Sequence, residues 1–282
     1  MAVCAVLALA SVYVDSEAIL ERRYPLASAI SHVDAAPQMV ARGAHLMQIA
    51  GCKACHGDDL EGRRLASKIF PSLYSSNLTL AAQSMTGEEI ERAIRFAVAP
   101  DATSLWAMPS GSYTYMSPAD LGAILAFLKS RKPAGTPSPG PHFTFAVRWA
   151  LVTGKLSPAV DTTAQAPGPL DLGPRYDGGR YLARLACGEC HGTELEGRGA
   201  AGDLGCVSRY TLPAFFDLLR RDPHGRRDSA VRRLAHERFH EFADYEIMAL
   251  FDYLQARAHA SPRAIAHARA LRRQQEKLLA GK

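Results

Sequence analysis

What the sequence lacks already narrows it. Of its 282 residues, 48% are hydrophobic and 22% charged. It therefore has neither the polarity of a disordered chain nor the glycine repeat of a collagen. It has no strong charge of one sign. The formal net charge is +5, with 12 basic and 12 acidic side chains in residues 1–140 and 21 against 16 in residues 141–282. That excess is no nucleic-acid footprint; it suits a solvated surface or docking to an acidic partner. No apolar run reaches the about 20 residues that span a bilayer. The apolar segment Ala2–Val14 is shorter, and Asp15, Glu17 and Glu21 follow it. It also lacks the basic leader and small-residue cleavage site of a secretory signal. It reads as the end of a membrane anchor or a short anchor packed on a partner, with a soluble helix as the alternative.

Cysteine is scarce but ordered. Of the six, Cys52 and Cys55 stand before His56, and Cys187 and Cys190 before His191. Each set is C-x-x-C-H, the pattern of covalent haem c attachment rather than of a disulfide framework. Two thiols become thioethers to the haem vinyl groups, and the adjacent imidazole turns under the ring as an iron ligand. A zinc site would need four ligands, and no further cysteine pair stands nearby. Cys4 and Cys206 are left over.

The two motifs belong to an internal repeat. A shift of 135 residues lays Gly43 on Gly178, Cys52 on Cys187, Cys55 on Cys190 and His56 on His191. The string C-x-x-C-H-G-x-x-L-E-G recurs without a gap. Each repeat opens with a helix-like segment, Val40–Ala50 and Gly179–Ala186, and closes with another, Ser117–Arg131 and Ala243–Ala258. Ser117 is an N-cap with Pro118 at the first helical position. Leu121, Ile124, Leu125 and Leu128 make one apolar face, and Ile247, Leu250, Phe251 and Leu254 the other. No set of alternating strands is present, so the fold class is all-α. The expected organisation is anchor and connector at 1–38, a first domain at 39–133, a linker at 134–174, a second domain at 175–258 and a helical extension at 259–282. Within the linker, the short apolar stretch Phe143–Val152 is expected to pack between the domains. In the extension, Ile265, Ala268, Leu271 and Leu278 form an apolar stripe that could meet a partner or fold back.

A low-spin electron-transfer haem needs a sixth ligand, commonly methionine, which raises the potential. In the first repeat Met108 ranks first, in a loop stiffened by Pro109 just before the closing helix. Met116, at a staple position, comes next, and Met85 reads as core. Between His191 and the last helix there is no methionine. Met248 lies inside that helix and reads as core. The remaining donors are His236, which ranks first, then His240, His224 and Cys206. Each histidine also reads as a solvated surface residue, and Cys206 as a small buried one. An open iron position is the further alternative.

These residues resemble the class I cytochrome c fold, and the whole chain resembles a membrane-anchored dihaem cytochrome c with two fused domains. The carriers of the resemblance are C-K-A-C-H-G-D-D-L-E-G, the M-P-S-G-S-Y run, A-I-L-A-F-L-K-S, C-G-E-C-H-G-T-E-L-E-G and the R-F segment before E-I-M-A-L-F-D-Y-L. The resemblance implies two covalent haem c groups. Cys52, Cys55, Cys187 and Cys190 would bind them, with His56 and Met108 on one iron and His191 on the other. It implies a location on the periplasmic side of a bacterial inner membrane, and redox partners in a respiratory, photosynthetic or dehydrogenase complex. The chain departs from it where Val231 replaces an expected methionine, which leaves the second sixth ligand to a histidine or to none. The leading expectation is an electron carrier. A dihaem enzyme of peroxidase or thiosulfate dehydrogenase type and a structural subunit are the alternatives.

Overall fold

The computed structural model describes residues 2–25, 32–65, 73–160, 168–220 and 237–260. The chain divides into two compact units, residues 1–166 and 167–282. Helices dominate both. In the first unit they are α1 (Ala2–Leu20), α2 (Pro37–Ile49), α3 (Cys52–His56), α4 (Leu78–Ser84), α5 (Gly87–Phe96), α6 (Pro118–Ser130) and α7 (Phe145–Val152). In the second they are α8 (Asp177–His191), α9 (Leu212–Arg220) and α10 (Asp244–Ala258). Two short strands, β1 (Arg64–Leu65) and β2 (Leu73–Tyr74), pair antiparallel, with Arg64 opposite Tyr74.

The first unit is built on the crossing of α2 and α6. The Ser117 hydroxyl accepts from Asp120 N–H at 3.1 Å and starts α6 as expected of an N-cap. Leu121, Ile124, Leu125 and Leu128 of α6 are buried with Leu46, Met47 and Ile49 of α2. Each such side chain contributes about 1.5–3 kcal/mol of burial. Gly43 permits the close approach, since a Cβ there would lie 2.0 Å from the Ala123 carbonyl oxygen. Arg42 locks the crossing by donating to the buried Asp120 carboxylate at 2.6 Å.

The second unit crosses α8 with α10 in the same way, but through Gly179. A Cβ on Gly179 would lie 2.1 Å from the Ala249 carbonyl oxygen, whereas Gly178 faces open space. The shift that lays Gly43 on Gly178 is therefore corrected by one residue. The cause is upstream of the cysteines. In the first unit α2 ends at Ile49 and the left-handed Gly51 (φ 81°) breaks the chain before α3. In the second unit α8 runs unbroken through His191. On α10 the buried apolar set is Ile247, Leu250, Tyr253 and Leu254. Phe251 is half-buried against the Phe215 ring at 5.3 Å. Met248, expected in the core, is exposed, because it lies next to Ile247 and so turns off the buried face.

Among the described residues no helix is long and apolar enough to cross a membrane. The helix α1 does not stop at Asp15. It continues to Leu20, and α7, expected between domains, packs on it within the first unit. Arg148 of α7 donates to Ser16 Oγ at 2.8 Å and Glu17 Oε2 at 2.6 Å. Its guanidinium also lies 4.9 Å from the Tyr13 ring centre. Ile19 and Leu20 pack against Leu73, Val147 and Leu151. Val3, Val6, Leu7 and Val14 remain exposed. The extension beyond Ala260 lies outside the described residues.

The glycine crossing gives a direct test by urea unfolding followed by circular dichroism. Gly179→Ala should destabilise the second unit by about 1–3 kcal/mol through overpacking. Gly178→Ala should leave stability equal or raise it by up to ~1 kcal/mol.

Candidate functional site

In the first unit the site begins with the turn at Gly51, whose left-handed backbone starts α3 in a new direction. Cys52 and Cys55 are three apart on this helical turn and so share a face. Neither thiol is in a disulfide, and both are half-buried. Gly57 (φ 83°) ends the turn, and Leu60 (φ 64°) and Gly62 (φ 80°) fold the chain back. The return is closed by Gly62 N–H on the His56 carbonyl at 2.8 Å.

His56 is fixed by its ring. Nδ1 lies 2.8 Å from the Ser76 carbonyl oxygen. A carbonyl can only accept, so Nδ1 carries the proton and Nε2 keeps its lone pair. Burial lowers the affinity of this imidazole for a second proton, outweighing the Ser76 bond, which acts the other way. Two thiols on one helical face and a neutral imidazole with an available Nε2 are the donor set that covalent haem c requires. The residues fit the group. The ordering of the ring by an outer hydrogen bond is what metal-binding histidines commonly show.

The post that supplies the Ser76 carbonyl is itself tied down. The buried Ser75 hydroxyl donates to the Cys55 carbonyl at 2.7 Å and accepts from Arg63 N–H at 2.9 Å. Asn77 caps α4, accepting from Thr79 and Leu80 N–H. Its amide donates to the carbonyls of Ala134 at 2.8 Å and Thr136 at 3.2 Å. Sequence reasoning missed Ser75, Ser76 and Asn77. The cap signature of Asn77 before Leu78 was the one available signal.

Met108 is half-buried on the loop before a short turn, Ser110–Ser112. That loop is anchored twice. Ser110 Oγ donates to the Ala93 carbonyl at 3.0 Å, and Tyr113 Oη donates to the Ala50 carbonyl at 3.0 Å, beside Gly51 and Cys52. Buried Arg95 pairs with Glu91 at 2.9 Å and donates to the Thr114 carbonyl at 3.1 Å, bracing the loop from α5. Met116 is buried in the core. Met85 is half-buried at the end of α4, where its carbonyl accepts from Lys129 Nζ.

The second unit repeats the local geometry. Cys187, Cys190 and His191 form the end of α8, and neither cysteine is in a disulfide. Gly192 (φ 78°), Leu195 (φ 65°) and Gly197 (φ 98°) take the same left-handed conformations as Gly57, Leu60 and Gly62. Gly197 N–H closes on the His191 carbonyl at 3.0 Å. His191 Nδ1 donates to the Gly202 carbonyl at 2.6 Å, leaving Nε2 free. Burial pushes the Cys187 thiol up to about 12. Buried Arg238 of the R-F segment lies 3.4 Å from Glu189, inside the motif. The remaining sixth-ligand candidates divide. His224 and His236 lie outside the described residues, as does Val231. His240 is exposed and lies 3.2 Å from Glu241. Cys206, expected to be buried, is exposed on the turn Leu204–Arg209. Among the described residues no group of three or more His, Cys, Asp and Glu side chains forms a cage for a bare metal ion.

Comparison with known proteins agrees with this geometry. Residues 40–132 match the cytochrome c family. The chain is 30% identical over 169 residues to the fructose dehydrogenase cytochrome subunit of Gluconobacter japonicus, covering 54% of this chain and 34% of that protein. It is 29% identical over 174 residues to the cytochrome c subunit of the quinone alcohol dehydrogenase of Gluconacetobacter polyoxogenes, covering 56% and 36%. With a diheme cytochrome c-type protein of Cereibacter sphaeroides it shares 26% over 203 residues, covering 61% and 66%. The chain thus spans about a third of the length of the two dehydrogenase subunits. The family matched by residues 40–132 implies covalently bound haem c in that segment.

The Ser75 hydroxyl joins α3 to the segment that carries the Ser76 carbonyl. Ser75→Ala leaves the Arg63 N–H and the Cys55 carbonyl without this partner. It should cost the first unit about 1–3 kcal/mol in urea unfolding of the holoprotein.

Proposed function

We propose that the chain carries two haem c groups, one in each of two tandem cytochrome c domains at 39–133 and 175–258. On this reading Cys52 and Cys55 bind one haem and Cys187 and Cys190 the other. The observation that carries it is the repeated latch. Both motif histidines donate Nδ1 to a backbone carbonyl, and both are followed by the same three left-handed residues. The diheme relative supports the same count.

Haem c supplies a one-electron couple when bound; the chain sets the ligands, access and surroundings of that couple. His56 with Met108 would hold the first iron, and His191 with His236 the second. A methionine-ligated and a histidine-ligated iron would differ in potential and so favour one direction of flow. The relatives named as cytochrome subunits of fructose and alcohol dehydrogenases support a dehydrogenase as the electron donor. A respiratory or photosynthetic complex is the other partner class. We place this work on the periplasmic side of a bacterial inner membrane. Membrane association would run through α1, whose exposed Val3, Val6, Leu7 and Val14 support contact with lipid.

Intact mass and the alkaline pyridine spectrum of the mature protein should report two covalent haems. The Cys187→Ser/Cys190→Ser double variant should report one. A wild type with a single haem would overturn the reading. Met108→His should lower one midpoint potential and leave the other in place. The reduced protein should bind carbon monoxide slowly at both centres; rapid binding at one would move the reading to a catalytic second haem.

A further inference from the structure

The two latched histidines are held alike, but their carbonyl posts are braced by different chemistry. Leu78 N–H donates to the Leu60 carbonyl at 2.8 Å, and Leu204 N–H donates to the Leu195 carbonyl at 3.1 Å. These bonds set Asn77 and Asp203 in equivalent places, each directly after the carbonyl that holds its histidine. Asn77 is neutral and buried, and it is tied to backbone at Ala134 and Thr136. Asp203 carries a charge. It accepts from Gly205 N–H at 2.7 Å and from Arg257 Nη1 at 2.8 Å.

Arg257 sits in the last turn of α10, and its side chain is only 9% exposed. Its second nitrogen, Nη2, donates to the Glu194 carbonyl at 3.2 Å. One guanidinium therefore grips both ends of the loop that leaves His191 and returns at Gly202. The planar fork of arginine suits this, since it holds two acceptors in one fixed orientation. It also sets a largely covered positive charge against the Asp203 carboxylate that follows the post.

We propose that Arg257 is the positioning residue of the second centre. It closes the Gly192–Asp203 loop so that the Gly202 carbonyl orients His191, and it balances Asp203 so that this centre's midpoint potential is set independently of the first. The proposal rests on the reading that Cys187 and Cys190 carry a haem, and it extends that reading to the residues that tune it. Neither bracing residue is assigned as an iron ligand. Their action runs through the His191 hydrogen bond and through charge, which reaches ~10 Å at 0.1 M salt. A carboxylate without its guanidinium favours the ferric state. A guanidinium without its carboxylate favours the ferrous state.

The test is a charge cycle on the full-length holoprotein, read by redox titration and by electron paramagnetic resonance. The haem count of the wild type comes first, and a count of one would overturn the reading beneath the proposal. With two haems present, Arg257→Gln should lower the second midpoint potential by about a threefold change in the ferric-to-ferrous ratio, nearly half of the ~59 mV of a tenfold change. The first potential should stay fixed. Asp203→Asn should raise the second potential. The Asp203→Asn/Arg257→Gln pair should return it towards the wild-type value. Arg257→Lys should keep the potential but shift the resonance g-values of the second haem, because the fork is lost and the charge is not. An unchanged potential and unchanged g-values in Arg257→Gln would overturn the proposal. So would shifts of the same sign in the two single variants. If Arg257→Gln fails to accumulate, Asp203→Asn decides alone: a rise supports the proposal, and no rise overturns it.

Discussion

The hydrogen bond from an imidazole Nδ1 to a backbone carbonyl governs both halves of this chain. A histidine following a C-x-x-C pair can rotate or flip, and either would remove Nε2 from use. The bonds to Ser76 and Gly202 oppose both, because a carbonyl accepts only from the ring N–H. Everything around them serves to keep those carbonyls still. In the first unit that is Ser75, Asn77 and the short pairing of β1 with β2. In the second it is the turn at Asp203 and the arginine that reaches it from α10.

The helix crossings answer a separate demand. Gly43 and Gly179 bring opening and closing helices to backbone contact, so each unit has an apolar centre of its own. Between that crossing and the cysteines the two units differ by one residue. A broken α2–α3 path and an unbroken α8 therefore deliver their thiols through different backbone routes to the same local turn. The turn is the conserved part of the repeat within this chain; the approach to it is free to vary.

This division explains what could be read from the amino acids. The C-x-x-C-H strings, the G-x-x-L-E-G return and the cap at Ser117 are local, and local chemistry is spelled out in residue types. The carbonyl posts were invisible because every residue carries a carbonyl and none advertises its use. Asn77 and Asp203 could be read as caps, but their reach to Ala134 and Arg257 is tertiary. The Gly178–Gly179 pair offered two registers, and only packing against Ala249 chooses between them. The extension of α1 through Asp15 and Glu17 depended on Arg148, far along the chain. Met248 lies one position from the buried Ile247 and so leaves the core face, and Cys206 lies exposed on its turn.

The brace at Asn77 has a consequence for where the first module ends. The family match stops at residue 132, and a cut at that point would look clean, since α6 closes at Ser130. Yet Ala134 and Thr136 are the acceptors that hold Asn77, and Gly135, with φ 71°, turns the loop that offers them. The stretch that leaves the first unit is thus a piece of the wall behind its histidine rather than a tether. In evolutionary terms the exit is not freely exchangeable: a recombination that swapped the connector would also alter the surroundings of His56, even with every residue of the matched segment retained.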